Sequence, residues 1–459
     1  MMLESGKEYL VEIVDIGQDG EGIGKAEGVT VFVENVVIGD LCRVKIEKVK
    51  KNYAFGKMVE IERPSSERIQ SLCQYAGDCG GCSLTEINYE TQLMLKEKKI
   101  RDSLERIGGI QKPKVLPILG MENPFYYRNN AQFPIGKNAV GFYRKKTHEV
   151  VDCQDCLLQS EPAVEIAQVI REYMKEYGIR SYHEKTGQGL LRHLIVRTAE
   201  GSGEIMVILV IRQGKLPDEE ELIQWLYEVV DSLDINPETG LKWKLKSVVV
   251  NVNKYKSMVM GEKNIVIFGD GRITDRFCGL DFLISPRSFY QVNTQQMRKL
   301  YEKVKEYANL TGKETVFDFY CGVGTIGLFL SDQADKVIGI ESLKDAIEDA
   351  NRNAIRNEIV NTAFFCGKAE DILPEMIEKG EHVDVVVLDP PRKGCEETLL
   401  QTIADAKVKK IIYVSCNPAT LARDIKYLTA RGYALSEVQP VDMFPWTVHV
   451  ETVVLLQRR

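Results

Sequence analysis

The sequence predicts an α/β chain in three parts, the last of which is a doubly wound domain of the Rossmann kind. Three observations support this fold class. Short strands and glycine-rich turns fill residues 3–61, and a cysteine-rich segment then opens a mixed α+β region, residues 62–287. From residue 288 to 459, apolar strands alternate regularly with helices, as in a parallel sheet covered on both faces.

The N-terminal part, residues 3–61, has the pattern of a small β-barrel of the OB kind. Residues 9–14, 29–33, 40–49 and 56–61 are predicted strands, and the glycine-rich stretch 17–24 turns the chain. Several short strands in so short a segment favour a barrel over an open sheet.

The later elements follow from hydrophobic periodicity. A helix is predicted over residues 88–107, where Gly108 and Gly109 stop it, and another over 294–309. In the last part, four strands are predicted at 315–320, 336–341, 385–389 and 409–415. Their apolar composition predicts the inner strands of a buried parallel sheet.

Composition limits the class of protein. The net charge of the 459 residues is −7, which argues against a globally basic nucleic-acid binder. Residues 43–57, however, contain six basic residues and only one acidic residue. This stretch is either a phosphate-binding face or a solvated strand edge. The apolar runs are too short to cross a bilayer and the N-terminus has no apolar signal core, so we expect a cytoplasmic protein with no membrane contact.

A glycine loop marks a candidate nucleotide site. The sequence DFYCGVG at 318–324 separates a predicted strand from a helix, and Glu341 ends the next strand, at the spacing typical of a carboxylate that binds ribose hydroxyls. Gly327 completes a spacing that a dinucleotide would also fit. Asp318 would repel a pyrophosphate but tolerate a cationic sulfonium, so the loop favours S-adenosylmethionine.

Two further loops follow predicted strands of the same domain. DPPR at 389–392 and SCNP at 415–418 both lie where α/β sheets bind ligands, and Cys416 would be exposed to substrate there. A thiolate that adds to C6 of uracil makes C5 nucleophilic enough to attack a sulfonium methyl group. This chemistry makes Cys416 the candidate nucleophile, although a lone cysteine is more often a packed thiol.

The reaction also needs a base for the C5 proton. In the sequence HVE at 449–451, His449 and Glu451 are predicted on one face of a strand. We expect Glu451 to be the base, because it is ionised at neutral pH and partial burial would raise its basicity. Taken alone it would be an ordinary exposed strand residue. Its combination with Cys416 and the glycine loop favours catalysis.

A cysteine cluster points to a metal centre. Cys73, Cys79 and Cys82 have C-x5-C-x2-C spacing, and Cys153 or Cys156 can supply a fourth thiolate. Zinc and a four-iron cluster both fit such ligands. The remaining cysteines outside the loops, such as Cys42, Cys278, Cys366 and Cys395, are interpreted as reduced thiols.

These motifs together resemble the bacterial RNA 5-methyluridine methyltransferases, specifically the iron–sulfur members that act on ribosomal RNA. The resemblance covers nearly the whole chain. It is carried by the cysteine motif and five ordered segments, namely SFYQVN at 288–293, DFYCGVG at 318–324, DPPR at 389–392, SCNP at 415–418 and HVE at 449–451.

The resemblance implies a TRAM domain at 3–61, a central domain with the cluster at 62–287 and a class I methyltransferase domain at 288–459. It implies methyl transfer from S-adenosylmethionine to C5 of a uridine in 23S rRNA through a covalent cysteine–C6 adduct. The implied roles are Cys416 as nucleophile, Glu451 as base, Gln291, Tyr320, Glu341 and Asp389 as contacts of S-adenosylmethionine or uracil, and Cys73, Cys79, Cys82 and Cys156 as ligands of a structural [4Fe-4S] cluster. Thr325 departs from the asparagine that some members have there, which puts one cofactor contact in doubt.

Three other interpretations stay open. The RNA could be transfer RNA, the chain could be a noncatalytic RNA-binding scaffold, or the metal could be zinc. The segments 126–128 and 142–146 interleave aromatic and basic residues, so they either face RNA or form an ordinary strand with a solvated edge. We expect a monomer, and the target uridine is not specified by the sequence.

Overall fold

The computed structural model describes residues 3–137, 139–236, 239–255 and 258–459. Within these residues the chain forms a closed five-stranded barrel, a seven-stranded mixed sheet, a β-hairpin and a second seven-stranded sheet. In the described ranges, no helix is long and apolar enough to cross a membrane.

The barrel confirms the predicted N-terminal fold. Its strands are β1 (Glu8–Ile16), β2 (Gly22–Ala26), β3 (Val29–Val33), β4 (Leu41–Val49) and β5 (Tyr53–Arg63), closed in the order β1-β2-β3-β5-β4. The sequence did not predict β2, because its glycines read as a turn. They are needed for close strand approach, since a Cβ on Gly24 would lie 2.4 Å from the carbonyl oxygen of Glu12.

Helix α1 (Tyr89–Arg106) matches the predicted helix and packs on the C-terminal domain. The Asn88 side chain caps it by accepting the Thr91 N–H at 2.8 Å. Ile100 and Leu104 are buried in the core of the last domain. The ammonium of Lys96 lies 2.5 Å from Asp442 Oδ1, and both side chains are buried. The helix therefore belongs physically to the last domain, although it precedes it by most of the chain.

The central sheet is built from seven strands in the order β12-β11-β10-β9-β6-β7-β8. The strands are β6 (Asn130–Gly136), β7 (Ala139–Tyr143), β8 (Val150–Asp152), β9 (Leu191–Ala199), β10 (Glu204–Ile211), β11 (Lys244–Val252) and β12 (Lys263–Gly269). Helices α2 (Glu161–Glu176) and α3 (Glu219–Ser232) cover one face and bury its apolar side chains. The other face packs mainly on the hairpin and the last domain, and near β6 and β9 it borders the cavity that the cysteine segment lines.

The hairpin β13 (Ile273–Phe277) and β14 (Leu280–Ile284) leads into the last domain. Its strands are β15 (Thr315–Phe319), β16 (Lys336–Glu341), β17 (Thr362–Cys366), β18 (Val385–Leu388), β19 (Lys410–Ser415), β20 (Tyr433–Val441) and β21 (Glu451–Arg458). Its helices are α4 (Thr294–Ala308), α5 (Thr325–Leu330), α6 (Lys344–Arg356), α7 (Ala369–Glu378), α8 (Glu397–Asp405) and α9 (Pro418–Thr429).

The order of this sheet, β17-β16-β15-β18-β19-β21-β20, confirms the doubly wound domain. Strands β15 to β19 run parallel, whereas β21 lies between β19 and β20 and is antiparallel to both. Ser415 pairs with Thr452, so the end of β19 meets the start of β21 at one sheet edge. The predicted strand through His449 is wrong in extent, because β21 begins at Glu451.

The Lys96–Asp442 pair should be essential for stability. We expect Lys96→Met to lower the free energy of unfolding by about 3 kcal/mol, because it leaves the Asp442 carboxylate buried without its cation. The matched control, Lys98→Met on the same helix, removes a partly exposed ion-pair partner and should cost less than about 1 kcal/mol. Urea denaturation of the three proteins measures both values, and equal losses would contradict the assignment.

Candidate active site

One cavity of about 1030 Å³ opens at the sheet edge where the parallel strands end. It is lined by all six side chains that the sequence predicts for catalysis or cofactor binding: Gln291, Tyr320, Glu341, Asp389, Cys416 and Glu451. Tyr320, Glu341, Asp389 and Cys416 end or follow different parallel strands, whereas Glu451 starts β21 and Gln291 lies in the loop before α4. The sheet order brings the ends of these strands together. The cavity is therefore the candidate active site.

The glycine loop forms part of this cavity through Tyr320 and Gly322, which both have positive φ angles. Asp318 lies behind the loop rather than in the cavity, fully buried, and its Oδ2 accepts the Gly327 N–H at 2.9 Å. Burial raises the pKa of Asp318 to about 8. Asp318 therefore does not line the cavity, and its carboxyl group holds the start of α5 against β15.

Glu341 provides a carboxylate at the cavity wall. Its Oε1 accepts the Leu343 N–H at 3.0 Å, and its Oε2 accepts the Gly322 N–H at 3.4 Å. The carboxylate thus links the end of β16 to the glycine loop while it stays partly exposed to the cavity. This position suits a contact to a ligand hydroxyl or cation.

The two proline-containing loops are braced against each other. The Asn417 side chain caps α9 by accepting the Ala419 N–H at 3.1 Å, and its amide donates to the Arg392 carbonyl, also at 3.1 Å. The Thr420 hydroxyl donates to the same carbonyl at 3.1 Å. Cys416 stands just before this cap, so its position is set by both the sheet and the helix.

Burial dominates the electrostatics of the nucleophile and base. Glu451 is 4% exposed, and its Oε2 has no hydrogen-bond partner in the part of the chain that the structure describes. Burial, and then the Asp389 charge, raise the pKa of Glu451 well above its usual range. Burial also raises the pKa of Asp389 to about 7.

Cys416 is held as a thiol by the same surroundings. Burial, followed by the charges of Glu451 and Asp389, raises its pKa to about 12, and Arg392 acts in the opposite direction. Glu451 is almost fully buried rather than partly buried, and its basicity rises, as the sequence analysis expects. The same burial favours the protonated acid, which counts against the expectation that Glu451 is ionised before a ligand binds.

Several cavity residues had no role assigned from sequence. Phe289 and Phe444 line the cavity, and Phe289 is 65% exposed. His449 also lines it, and burial lowers the pKa of His449 to about 4, so the ring is neutral at pH 7. The signal for Phe289 was its place within the segment 288–293; Phe444 lies in an irregular loop without a pattern.

Five cysteines line a second cavity of about 720 Å³, namely Cys73, Cys79, Cys82, Cys153 and Cys156. The Cys153 thiol hydrogen-bonds Cys79, which lowers the pKa of Cys79 to about 7. Within the described ranges, no three His, Cys, Asp or Glu side chains are yet arranged as metal ligands. The thiols thus share one cavity, and both candidates for the fourth ligand remain beside the other three.

The aromatic and basic segments are partly structural. Tyr127 is buried and donates to the Pro445 carbonyl at 3.0 Å, and Phe142 packs on Phe133. Arg144 pairs with Asp78 and Glu149, and Lys146 with Glu34. These contacts favour the structural interpretation for those four residues. Tyr126 stays exposed, and Arg128 lines the cysteine cavity.

The last domain, with its seven-stranded sheet, glycine loop and edge cavity, has the architecture of a class I S-adenosylmethionine-dependent methyltransferase. The profile of the tRNA (uracil-5-)-methyltransferase family matches residues 272–459, and the TRAM domain profile matches residues 3–59. The chain belongs to this family of RNA uracil-5-methyltransferases with a TRAM domain.

Individual relatives agree with this assignment. An uncharacterized RNA methyltransferase of Bacillus cereus is 44% identical over 460 residues, which cover 98% of this chain and 97% of the relative. One from Caldanaerobacter subterraneus is 45% identical, with 99% and 98% covered. The crystal structure of Pyrococcus abyssi tRNA (uracil-54, C5)-methyltransferase with S-adenosyl-L-homocysteine is similar at a TM-score of 0.77 and 30% identity, over 97% of this chain and all of that one.

The raised pKa of Cys416 predicts slow alkylation in the ligand-free protein. With a pKa of about 12, roughly one thiol in a thousand is ionised at pH 9, so the rate with iodoacetamide should still climb steeply above that pH. The ionised Glu451 carboxylate raises the pKa of Cys416, so Glu451→Gln should speed the reaction several-fold at the alkaline pH values at which Glu451 is ionised.

Mass spectrometry of the Cys416 peptide measures this rate, and the exposed Cys366 serves as the internal control. The Cys366 rate should not respond to Glu451→Gln. A Cys416 rate that levels off near pH 8, as for an ordinary thiol, would contradict the prediction.

Proposed function

We propose that this enzyme methylates C5 of a uridine in 23S rRNA through a covalent bond between Cys416 Sγ and C6 of the base. The observation that supports this most is the meeting of Cys416, Glu451 and Asp389 in the cavity that also contains the glycine loop. A scaffold that had lost catalysis would not need a buried carboxyl group with an unpaired oxygen beside a cysteine.

The cavity fits the methyl donor by its chemistry. S-adenosylmethionine supplies a methyl group on a cationic sulfonium, and the carboxylates of Glu341 and Asp389 are suited to a cationic, hydroxyl-bearing ligand. Gln291 and Tyr320 complete the proposed contacts with the donor or the uracil. Thr325, the position in doubt, donates to or accepts from the Tyr301 hydroxyl at 2.7 Å, so it is used inside the fold.

The chemical steps assign one task to each residue. The Cys416 thiolate bonds through Sγ to C6, and the π electron pair of the C5–C6 double bond moves to form an enolate over C5 and O4. C5 then attacks the sulfonium methyl carbon, the bond between that carbon and sulfur breaks, and S-adenosylhomocysteine leaves. Glu451 then accepts the C5 proton, and the pair left behind expels Cys416 as thiolate. Arg392 and the N-terminus of α9, which begins two residues after Cys416, favour the thiolate form.

We further propose that Cys73, Cys79, Cys82 and Cys156 hold a [4Fe-4S] cluster. The donor set fits, because four sulfurs from two separate segments line one cavity. The cluster would join the segment after the barrel to the loop before α2, which supports a structural role. Cys153 is almost fully buried, at 4% exposure, and already hydrogen-bonds Cys79.

Transfer RNA is the second candidate substrate. It is favoured by the similarity to the Pyrococcus abyssi tRNA (uracil-54, C5)-methyltransferase. The ribosomal substrate rests instead on the iron–sulfur motif. The two candidates share all of the chemistry above.

Substrate choice can be tested with unmodified RNA. We expect labelled methyl groups from S-adenosylmethionine to appear in 5-methyluridine of 23S rRNA and not in tRNA transcripts. Nuclease mapping of the label identifies the position. Label in tRNA alone would reject the ribosomal proposal, and label on another base would reject the mechanism.

RNA that contains 5-fluorouridine should trap the covalent intermediate. Fluorine at C5 cannot leave as a proton does, so the Cys416 adduct should persist and appear by mass spectrometry when donor and RNA are both present. Glu451→Gln should accumulate the same kind of adduct on ordinary uridine and lower turnover by at least about a hundredfold.

Cys416→Ala should form neither adduct nor product, whereas Cys366→Ser, at an exposed cysteine outside the cavity, should retain both. An active Cys416→Ala variant would overturn the nucleophile assignment.

The cluster predicts brown protein after anaerobic purification, with about four irons per chain. Cys156→Ser should lose iron and lower the melting temperature, whereas Cys153→Ser should keep its iron. The opposite result would make Cys153 the fourth ligand. One zinc per colourless chain would reject the iron–sulfur proposal.

A further inference from the structure

The cavity that the five cysteines line extends well beyond the cysteines themselves. Its volume of about 720 Å³ extends between strands β6 and β9 of the central sheet and residues 286–292 of the last domain. Asn130 and Gln132 of β6 and Arg197 of β9 line its sheet side. Phe289 lines both this cavity and the candidate active site, so the two spaces meet at one ring.

Two amide side chains that line this cavity each have an oxygen without a hydrogen-bond partner. Gln159 is 5% exposed and its Oε1 has no hydrogen bond among the described residues; the same holds for the buried Oδ1 of Asn130. An unpaired buried acceptor costs roughly 1–3 kcal/mol, so such groups commonly mark a missing ligand. Both unpaired atoms are acceptors, which calls for a ligand with N–H donors.

The cavity also offers surfaces that stack on planar groups. Phe289 is 65% exposed, and Arg128 lies along the same cavity. Aromatic rings and guanidinium planes are the surfaces on which proteins stack unpaired nucleobases. Arg287 lines the cavity as well and can contact a phosphate.

We infer that this cavity binds a second nucleobase, one with an exocyclic amino group, from a nucleotide close to the target uridine in the same strand. The inference rests on the proposed function, since it takes RNA as the substrate. Adenine, cytosine and guanine each present an amino group to paired acceptors, whereas uracil offers a single N–H. Because Phe289 borders both spaces, one strand can occupy them together.

The alternative is that these amide oxygens bind the proposed cluster at the cysteine side of the cavity, and their chemistry does not suit that role. Cluster sulfides and thiolates are hydrogen-bond acceptors with negative charge, so they would attract N–H groups and not carbonyl oxygens. The unpaired oxygens of Asn130 and Gln159 therefore point to the base.

Two fluorescent pentaribonucleotides test the inference. Both contain a central uridine; the flanking nucleotides are adenosine in one and purine riboside, which stacks but lacks the amino group, in the other. We expect holoprotein with S-adenosylhomocysteine to bind the adenosine form about tenfold more tightly in anisotropy titrations.

Gln159→Leu should abolish this tenfold preference and leave affinity for the purine riboside form unchanged. The matched control is Gln154→Leu, at an exposed glutamine outside the cavity, which should keep the preference. Iron content of both variants reports on the cluster separately.

Equal affinities of the unaltered protein for the two oligonucleotides would overturn the base pocket, as would a preference that survives Gln159→Leu. Iron loss in Gln159→Leu with the preference intact would assign the amide to the cluster instead. The 5-fluorouridine adduct is independent of these results, so its absence would reject the proposed chemistry alone.

Discussion

The site depends on the insertion of β21, antiparallel, between β19 and β20. In a purely parallel sheet, the carboxyl ends of the strands supply one rim and their amino ends lie far away. Reversing a single strand brings its first residue to the rim where the others end. That is how Glu451, which starts β21, comes to line the same cavity as Cys416, which follows β19.

This arrangement buries three titratable groups close together, which disfavours their charged forms. Glu451, Asp389 and Cys416 occupy one apolar rim, and burial shifts all three toward their neutral forms. Each shift makes the ionised group a stronger base or nucleophile once it forms. Arg392 is the opposing charge, and its loop is tied to the cap of α9 by two hydrogen bonds to its carbonyl.

The sequence predicted the helices and strands better than it predicted how they pack together. Apolar strands and motif spacing placed four of the six site residues, Tyr320, Glu341, Asp389 and Cys416, at strand ends, and the resemblance supplied their roles. The buried position of Asp318 could not be predicted, because an acid before a glycine loop looks the same whether it faces a ligand or, as here, accepts the Gly327 N–H from behind the loop. Two features were missed because the sequence there has no hydrophobic periodicity. They are the irregular segment before Glu451 and the strand β2, which contains Gly22 and Gly24.

Helix α1 shows that the boundaries drawn along the chain are not boundaries of folding. Lys96 is 346 positions from its partner Asp442, and Ile100 and Leu104 complete a core made almost wholly from the last domain. On the ribosome this helix emerges long before its docking surface exists. The methyltransferase domain therefore cannot mature until synthesis is nearly finished, and a fragment that starts at residue 288 would carry an open apolar groove and a stranded carboxylate. Although the sequence divides into separate segments, the last domain needs helix α1 to complete its core.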